Sequence, residues 1–194
     1  MAQRRRQDAN HDFLEEPPAG PMTTVGPKSR PKDLRQVRRR RQHSCWDRLI
    51  VAPLWVAYEA NLGTLLRTCD AVGACMAVPD TEHYRKSLDR GDTLVRRPHI
   101  HWLDGSKVKW ITRQRDRDSR ILGVELAEDA TPLPQLAPAR VRTVVLLGHE
   151  HDGVPNEVWT LLDEVVEIPM VGRGASLNVA VAGSLVLYRL AGLA

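Results

Sequence analysis

Two polar residues behind a glycine-rich turn are the first candidates for chemistry. In IPMVGRGASLNVAVA, an apolar strand end (Val165, Val166, Ile168) is closed by Pro169, and Gly172 to Gly174 loosen the turn that follows. A helix of small and apolar residues then begins, with Ser176 as its predicted cap. Ser176 and Asn178 stand where a helix N-terminus exposes N–H groups, so main chain and side chains together can hold a polar or charged group. The plainer reading is a buried strand-turn-helix unit. A second cluster, His149, Glu150, His151 and Asp152, has metal-ligating residue types. Neighbours one and two apart in a tight loop seldom converge on one ion, so no metal is expected there. His99 and His101 alternate along a predicted strand and face one side, more often a surface pattern than a ligand pair. Cys45, Cys69 and Cys75 have no CxxC spacing, which argues for reduced, partly buried thiols and against a structural zinc or disulfide framework.

The elements that must position these residues read as alternating strands and helices. Leu49 to Val56 is an apolar run whose regular pairing is expected to stop near Pro53. A helix follows from Asn61 to Val72, ended by Gly73, and Ala74 to Val78 reads as the next strand. Asp80 to Arg97 is polar and carries no clear assignment. Ile100 to Leu103 and Ile121 to Leu126 are strand candidates, Lys107 to Arg113 a short helix or turn, and Ala130 to Arg140 a proline-containing loop. Arg142 to Leu147 is the clearest buried strand. Such runs, alternating with helices, predict an α/β fold with a mostly parallel sheet covered on both faces. In such sheets ligands bind at the carboxyl ends of strands, so the loops at Tyr58 to Arg67, Gly148 to Pro155 and Met170 to Asn178 should converge. None is a GxGxxG or GxxxxGKS/T phosphate loop.

A chain of 194 residues supports one domain and a tail. No apolar run approaches the ~20 residues that cross a bilayer. The basic start, QRRRQ, has no signal-peptide core behind it, and a cytoplasmic protein is expected. The net charge of +4 is uneven: residues 1 to 48 hold twelve Lys/Arg against six Asp/Glu, and the remainder sixteen against eighteen. Residues 1 to 31, with five prolines, read as a disordered basic arm. From Lys32 to Gln42, Leu34, Val37 and Arg41 recur at helical spacing, predicting a short basic helix. Arg38 to Arg41 suit an anionic polymer, although a solubilising tail has the same composition.

NLGTLLRTCDAVGA (Asn61 to Ala74), LLGHEHDGVP (Leu146 to Pro155) and IPMVGRGASLNVAVA (Ile168 to Ala182) resemble, in order and spacing, the three motifs of the SpoU/TrmH family of RNA ribose 2′-O-methyltransferases, within the SPOUT superfamily. The likeness covers roughly residues 32 to 190, and the first motif is nearest the branch that methylates the D-loop guanosine of tRNA. The resemblance implies a methyltransferase domain over 32–194 with a deep C-terminal trefoil knot, S-adenosylmethionine bent inside it, and a homodimer whose sites combine both subunits. It places the cofactor against main chain near Val124, Gly148, Ile168 and Leu177. It casts Arg67, Asn61, Glu150, Ser176 and Asn178 as the catalytic set.

The residue types suit that role. Methyl transfer needs the ribose oxygen held in line with the methyl group more than it needs covalent help. Arg67 would fork an RNA phosphate beside the target ribose, and as a guanidinium it is too weak an acid to serve as the base. Asn61 would orient Arg67 or the nucleotide, or simply cap its helix. Glu150 would fix Asn61 or a loop N–H, and Ser176 and Asn178 would line the third wall. The histidines around Glu150 depart from the family pattern. The chain stops at Ala194, soon after the last helix, where relatives that grip tRNA often extend further, so part of that RNA-binding surface is expected to be absent or replaced by the arginine-rich arm. The expected function is methylation of tRNA; ribosomal RNA, a base-nitrogen target and a catalytically idle RNA-binding scaffold are the alternatives.

Overall fold

Short aliphatic runs build the centre of the sheet. In the computed structural model, which describes residues 48–91, 94, 97–174 and 176–194, the strands are β1 (Leu49–Ala52), β2 (Cys75–Pro79), β3 (Ile100–Leu103), β4 (Arg120–Val124), β5 (Thr131–Pro132), β6 (Thr143–Leu146) and β7 (Glu164–Glu167). The helices are α1 (Glu59–Val72), α2 (Glu82–Gly91), α3 (Lys107–Arg115), α4 (Asn156–Trp159) and α5 (Val179–Leu190). The basic arm over 1–31, the basic helix over 32–42 and Cys45 lie outside the described residues.

Among the described residues the strands of the sheet pair in parallel, in the order β3-β2-β1-β6-β4-β7-β5. The chain lays β1, β2 and β3 outward, crosses to β4, and later inserts β6 between β1 and β4 and β7 between β4 and β5. Side chains alternate between two cores. Leu49 and Val51 join Leu62, Leu65, Leu66, Val145, Val186 and Leu187 under α1 and α5. Ile50 and Ala52 join Trp110, Ile111, Val144, Leu146 and Val158 under α3 and α4. Burial on both faces is why the central strands β1 and β6 are almost wholly apolar, each large side chain contributing about 1.5–3 kcal/mol.

Helix α1 buries Leu62, Leu65, Leu66 and Cys69, a stripe at helical spacing, and ends on Gly73. Helix α5 packs at its glycine: a Cβ on Gly183 would sit 2.7 Å from Leu147 Cδ1 and 2.9 Å from Leu65 Cδ2. The sheet pairing of β1 stops at Ala52, one residue before Pro53, as expected.

Three local features differ from the sequence expectations. The unassigned polar stretch contains α2, whose narrow buried stripe is Tyr84, Ser87 and Leu88. The Ala130 to Arg140 loop opens with edge strand β5, where Pro132 is tolerated because an edge strand has ladder partners on one side only. Helix α5 is capped by Asn178, not Ser176: Asn178 Oδ1 accepts from the N–H of Ala180 (2.9 Å) and Val181 (3.2 Å). No helix among the described residues is long and apolar enough to cross a membrane.

Candidate active site at the carboxyl edge of the sheet

The loop after β6 is built to thrust Glu150 outward. His149 and Gly153 bond each other through both main-chain groups (2.9 and 3.0 Å), closing a tight turn over Glu150, His151 and Asp152. Gly153 has φ +67, and a Cβ on Gly148 would lie 2.1 Å from the carbonyl carbon of Gly153, so the closure needs glycine at both ends. Glu125, just past β4, steadies the turn by accepting from the Val154 N–H at 3.1 Å.

Glu150 then accepts three hydrogen bonds: from the N–H of Ala57 (3.0 Å), from the N–H of Tyr58 (3.1 Å) and from Asn61 Nδ2 (2.7 Å). Two of these come from the chain entering α1, where Tyr58 occupies the cap position without a side-chain cap bond. The carboxylate of a distant loop therefore satisfies an N–H at the start of α1 and favours its positive end. Partial burial pushes the Glu150 carboxyl up, but the donations from Ala57, Tyr58 and Asn61 outweigh it and hold the carboxyl below the usual glutamate range. A carboxylate so occupied is a poor base and a good anchor.

Asn61 is the third residue of α1, buried rather than capping. It donates to Glu150, and its Oδ1 accepts from Asn178 Nδ2 at 2.9 Å. Asn178 thus caps α5 with its oxygen and ties α5 to α1 with its nitrogen. A second tie runs between Thr68 and Ser184, whose hydroxyls lie 2.7 Å apart. From behind, the Tyr84 hydroxyl donates to the carbonyls of Pro53 (3.2 Å) and Val56 (3.0 Å), holding the segment that presents Ala57 and Tyr58. Sequence reasoning missed Tyr84, Ala57 and Tyr58, because main-chain donors and a tyrosine in an unassigned stretch leave no motif.

The other expected residues fall around this network. Arg67 lies nearly two turns along α1 from Asn61 on its exposed side, with Ala60, Thr64 and Ala71. Ser176 is exposed, two residues before the cap. Val124 ends β4, Gly148 lies just beyond β6, and Ile168 follows β7, so three adjacent strands end together. The segments that follow expose Leu126 (77%), Met170 (42%), Val171 (107%) and Leu177 (40%). A cavity of about 560 Å³ opens beside the Glu150 turn, lined by Trp55, Val56, Tyr84, Lys107, His149 and Asp152. The Lys107 ammonium sits 5.4 Å from the Trp55 ring centroid, and burial pushes it below the usual lysine range.

Comparison with known proteins places the whole fold in a family. Residues 48–188 match the model of the SpoU rRNA Methylase family. The chain is 30% identical over 148 residues to the mouse tRNA (guanosine(18)-2′-O)-methyltransferase TARBP1, covering 73% of this chain and 9% of that protein. It is 30% identical over 166 residues to the tRNA (guanosine(18)-2′-O)-methyltransferase of Aquifex aeolicus, covering 83% and 75% respectively. The structure superposes with a TM-score of 0.65 on the crystal structure of the A. aeolicus TrmH/SpoU tRNA modifying enzyme, at 25% identity over 84% of this chain and 82% of that one. The three ordered motifs, the parallel sheet that carries them and the family match over most of the chain lead to one conclusion: the chain belongs to the SpoU rRNA methylase family.

Proposed function

We propose that the chain is an S-adenosylmethionine-dependent RNA ribose 2′-O-methyltransferase acting on tRNA, with the D-loop guanosine as its target. The observation that carries this reading is the network of Asn61, Glu150 and Asn178, which ties α1 to the turn that follows β6 and to the start of α5, which follows β7. Residues 32–194 would form the catalytic domain, in the cytoplasm, with 1–31 as a basic arm adding salt-dependent affinity for RNA.

The strand ends suit the cofactor. Main-chain groups at Val124, Gly148 and Ile168 leave the ladder there, Leu177 adds apolar surface, and a Cβ on Gly172 or Gly174 would meet nothing within 4 Å. An adenosyl group, a flat apolar body with a hydrogen-bonding edge, fits such a mixture of main chain and exposed aliphatic carbon. S-adenosylmethionine supplies a methyl group on a sulfonium, an electrophile that needs only an aligned oxygen.

The protein residues do the aligning. Arg67 forks a phosphate next to the target ribose and keeps its proton, so the hydroxyl proton passes to a phosphate oxygen or water that Arg67 organises. Asn61, Glu150 and Asn178 hold α1, the Glu150 turn and α5 in register, and fixing reactants in this way contributes on the order of 7–11 kcal/mol in the best intramolecular cases. Ser176 borders the same edge and would contact RNA or the cofactor. The cavity beside His149, with its Trp55 wall, is of a size to take the target base.

Two architectural features complete the proposal. A trefoil knot in the C-terminal segments would account for late strands β6 and β7 sitting between earlier ones. A homodimer would cover Val181, Leu185 and Tyr188, an exposed apolar stripe on α5.

The test is transfer of labelled methyl from S-adenosylmethionine to bulk tRNA and, separately, to ribosomal RNA, with digestion to nucleosides. Label in 2′-O-methylguanosine from tRNA is the expected result. Label only from ribosomal RNA would favour an rRNA methyltransferase, in keeping with the SpoU rRNA methylase family. RNA binding without transfer would overturn the enzyme reading in favour of an idle scaffold.

A further inference from the structure

Far from the Glu150 turn, at the amino end of the sheet, parallel pairing assembles three residues that no spacing motif connects. Cys75 opens β2, His99 immediately precedes β3, and His101 is the second residue of β3. Met76 pairs with Ile100 and Ala77 with His101, so Cys75 lies beside His99 and all three side chains share a face. Their ligand atoms lie within 4.8 Å of one another. Cys75 Sγ is 4.0 Å from His99 Nδ1, and the two imidazole centroids are 4.3 Å apart. Cys75 is buried, His101 half-buried and His99 exposed, so the cluster has a closed floor and an open mouth.

We propose that Cys75, His99 and His101 form a zinc site, with water as the fourth ligand. One thiolate and two imidazoles, without a carboxylate, select a borderline-soft ion such as Zn²⁺ over Mg²⁺ or Ca²⁺. Tetrahedral zinc places such ligand atoms roughly 3.4–3.6 Å apart, a closing of about 1 Å that rotation of the exposed His99 and of His101 provides. On binding, the Cys75 thiol gives its proton to solvent and the sulfur bonds the metal; nothing is oxidised or reduced. The ion would pin the edge strand β3 to β2. That role lies outside methyl transfer, since β2 and β3 bring the site to the end of the sheet opposite Glu150.

The test uses the full chain without a polyhistidine tag, titrated with Co²⁺ as a spectroscopic stand-in and then with Zn²⁺. The expected result is one Co²⁺ per chain with a thiolate-to-cobalt charge-transfer band and tetrahedral visible bands, displaced by Zn²⁺, and a melting temperature that rises with zinc. Cys75→Ser should abolish the charge-transfer band, and His99→Ala, at an exposed position, should weaken binding at least about tenfold. Cys45→Ser and the double variant His149→Ala/His151→Ala should bind as the parent does. No thiolate band, a band that survives in Cys75→Ser, unweakened binding in His99→Ala, or a band lost in Cys45→Ser would each overturn the proposal.

Discussion

Two walls of the candidate site differ in how they are held. The wall made by α1, the Glu150 turn and α5 is fastened by polar side chains that satisfy one another: Glu150 to Asn61, Asn61 to Asn178, Thr68 to Ser184. The wall beyond β4 and β7 has Leu126, Met170 and Val171 turned outward instead. The first is organised before any ligand arrives and would present RNA-facing residues in fixed positions. The second has surface still to bury, as expected of a region completed by cofactor or by a second subunit. In the proposed division of labour, RNA meets geometry already set, and the apolar partner supplies part of its own site.

The comparison breaks most severely at Glu150. Glu150→Ala strips the acceptor from Ala57 N, Tyr58 N and Asn61 Nδ2. The expected cost is about 2 kcal/mol in urea unfolding, since the group is only partly buried, and a loss on the order of 100-fold or more in methyl transfer. Because the folded-state carboxyl titrates below its unfolded value, this stabilisation is fully present above about pH 4.3 and fades as pH falls through the lowered folded value. The gap between parent and variant should therefore be flat from pH 5 to 8, on the order of 2 kcal/mol throughout, and narrow in acid. A gap that widened in acid would contradict the network.

Asn178 tests the same wall more gently. Asn178→Ala removes both the α5 cap and the tie to Asn61, and should cost about 1–2 kcal/mol. Asn178→Asp keeps an oxygen for Ala180 and Val181 but loses the donor to Asn61, so it should recover stability while transfer stays depressed. Recovery of both together would mean the tie is only a cap. The open wall gives the smallest signal: S-adenosylmethionine should slow amide hydrogen exchange at Met170, Val171 and Leu177 and leave Ala57, Tyr58 and Asn61 nearly unchanged. Equal protection of both walls would remove the distinction between them.

Much of the sheet was legible because β1, β2 and β6 are buried on both faces and so are apolar at every position but Thr143. The three converging loops were legible too, from their place after strands. What escaped was set by distant contacts. Ser176 and Asn178 are both good capping residues, and the choice between them is bound up with Asn61, 117 positions away, which holds the Asn178 amide. Asn61 looked like a helix start, but Glu150, from 92 positions beyond Tyr58, draws the entry of α1 back to that residue. Helix α2 hid because only Tyr84 and Leu88 carry its apolar face. The corner of Cys75, His99 and His101 exists only through strand register, which no local pattern reports.

The central claim is that Arg67 holds RNA for transfer and takes no part in binding the cofactor. Its most direct test is Arg67→Ala, with S-adenosylmethionine affinity by calorimetry and methyl transfer to tRNA measured on the same preparation. Unchanged cofactor affinity with transfer reduced to background is the predicted result. Transfer at the parental rate would contradict the role assigned to Arg67, and lost cofactor affinity would contradict its separation from the cofactor wall.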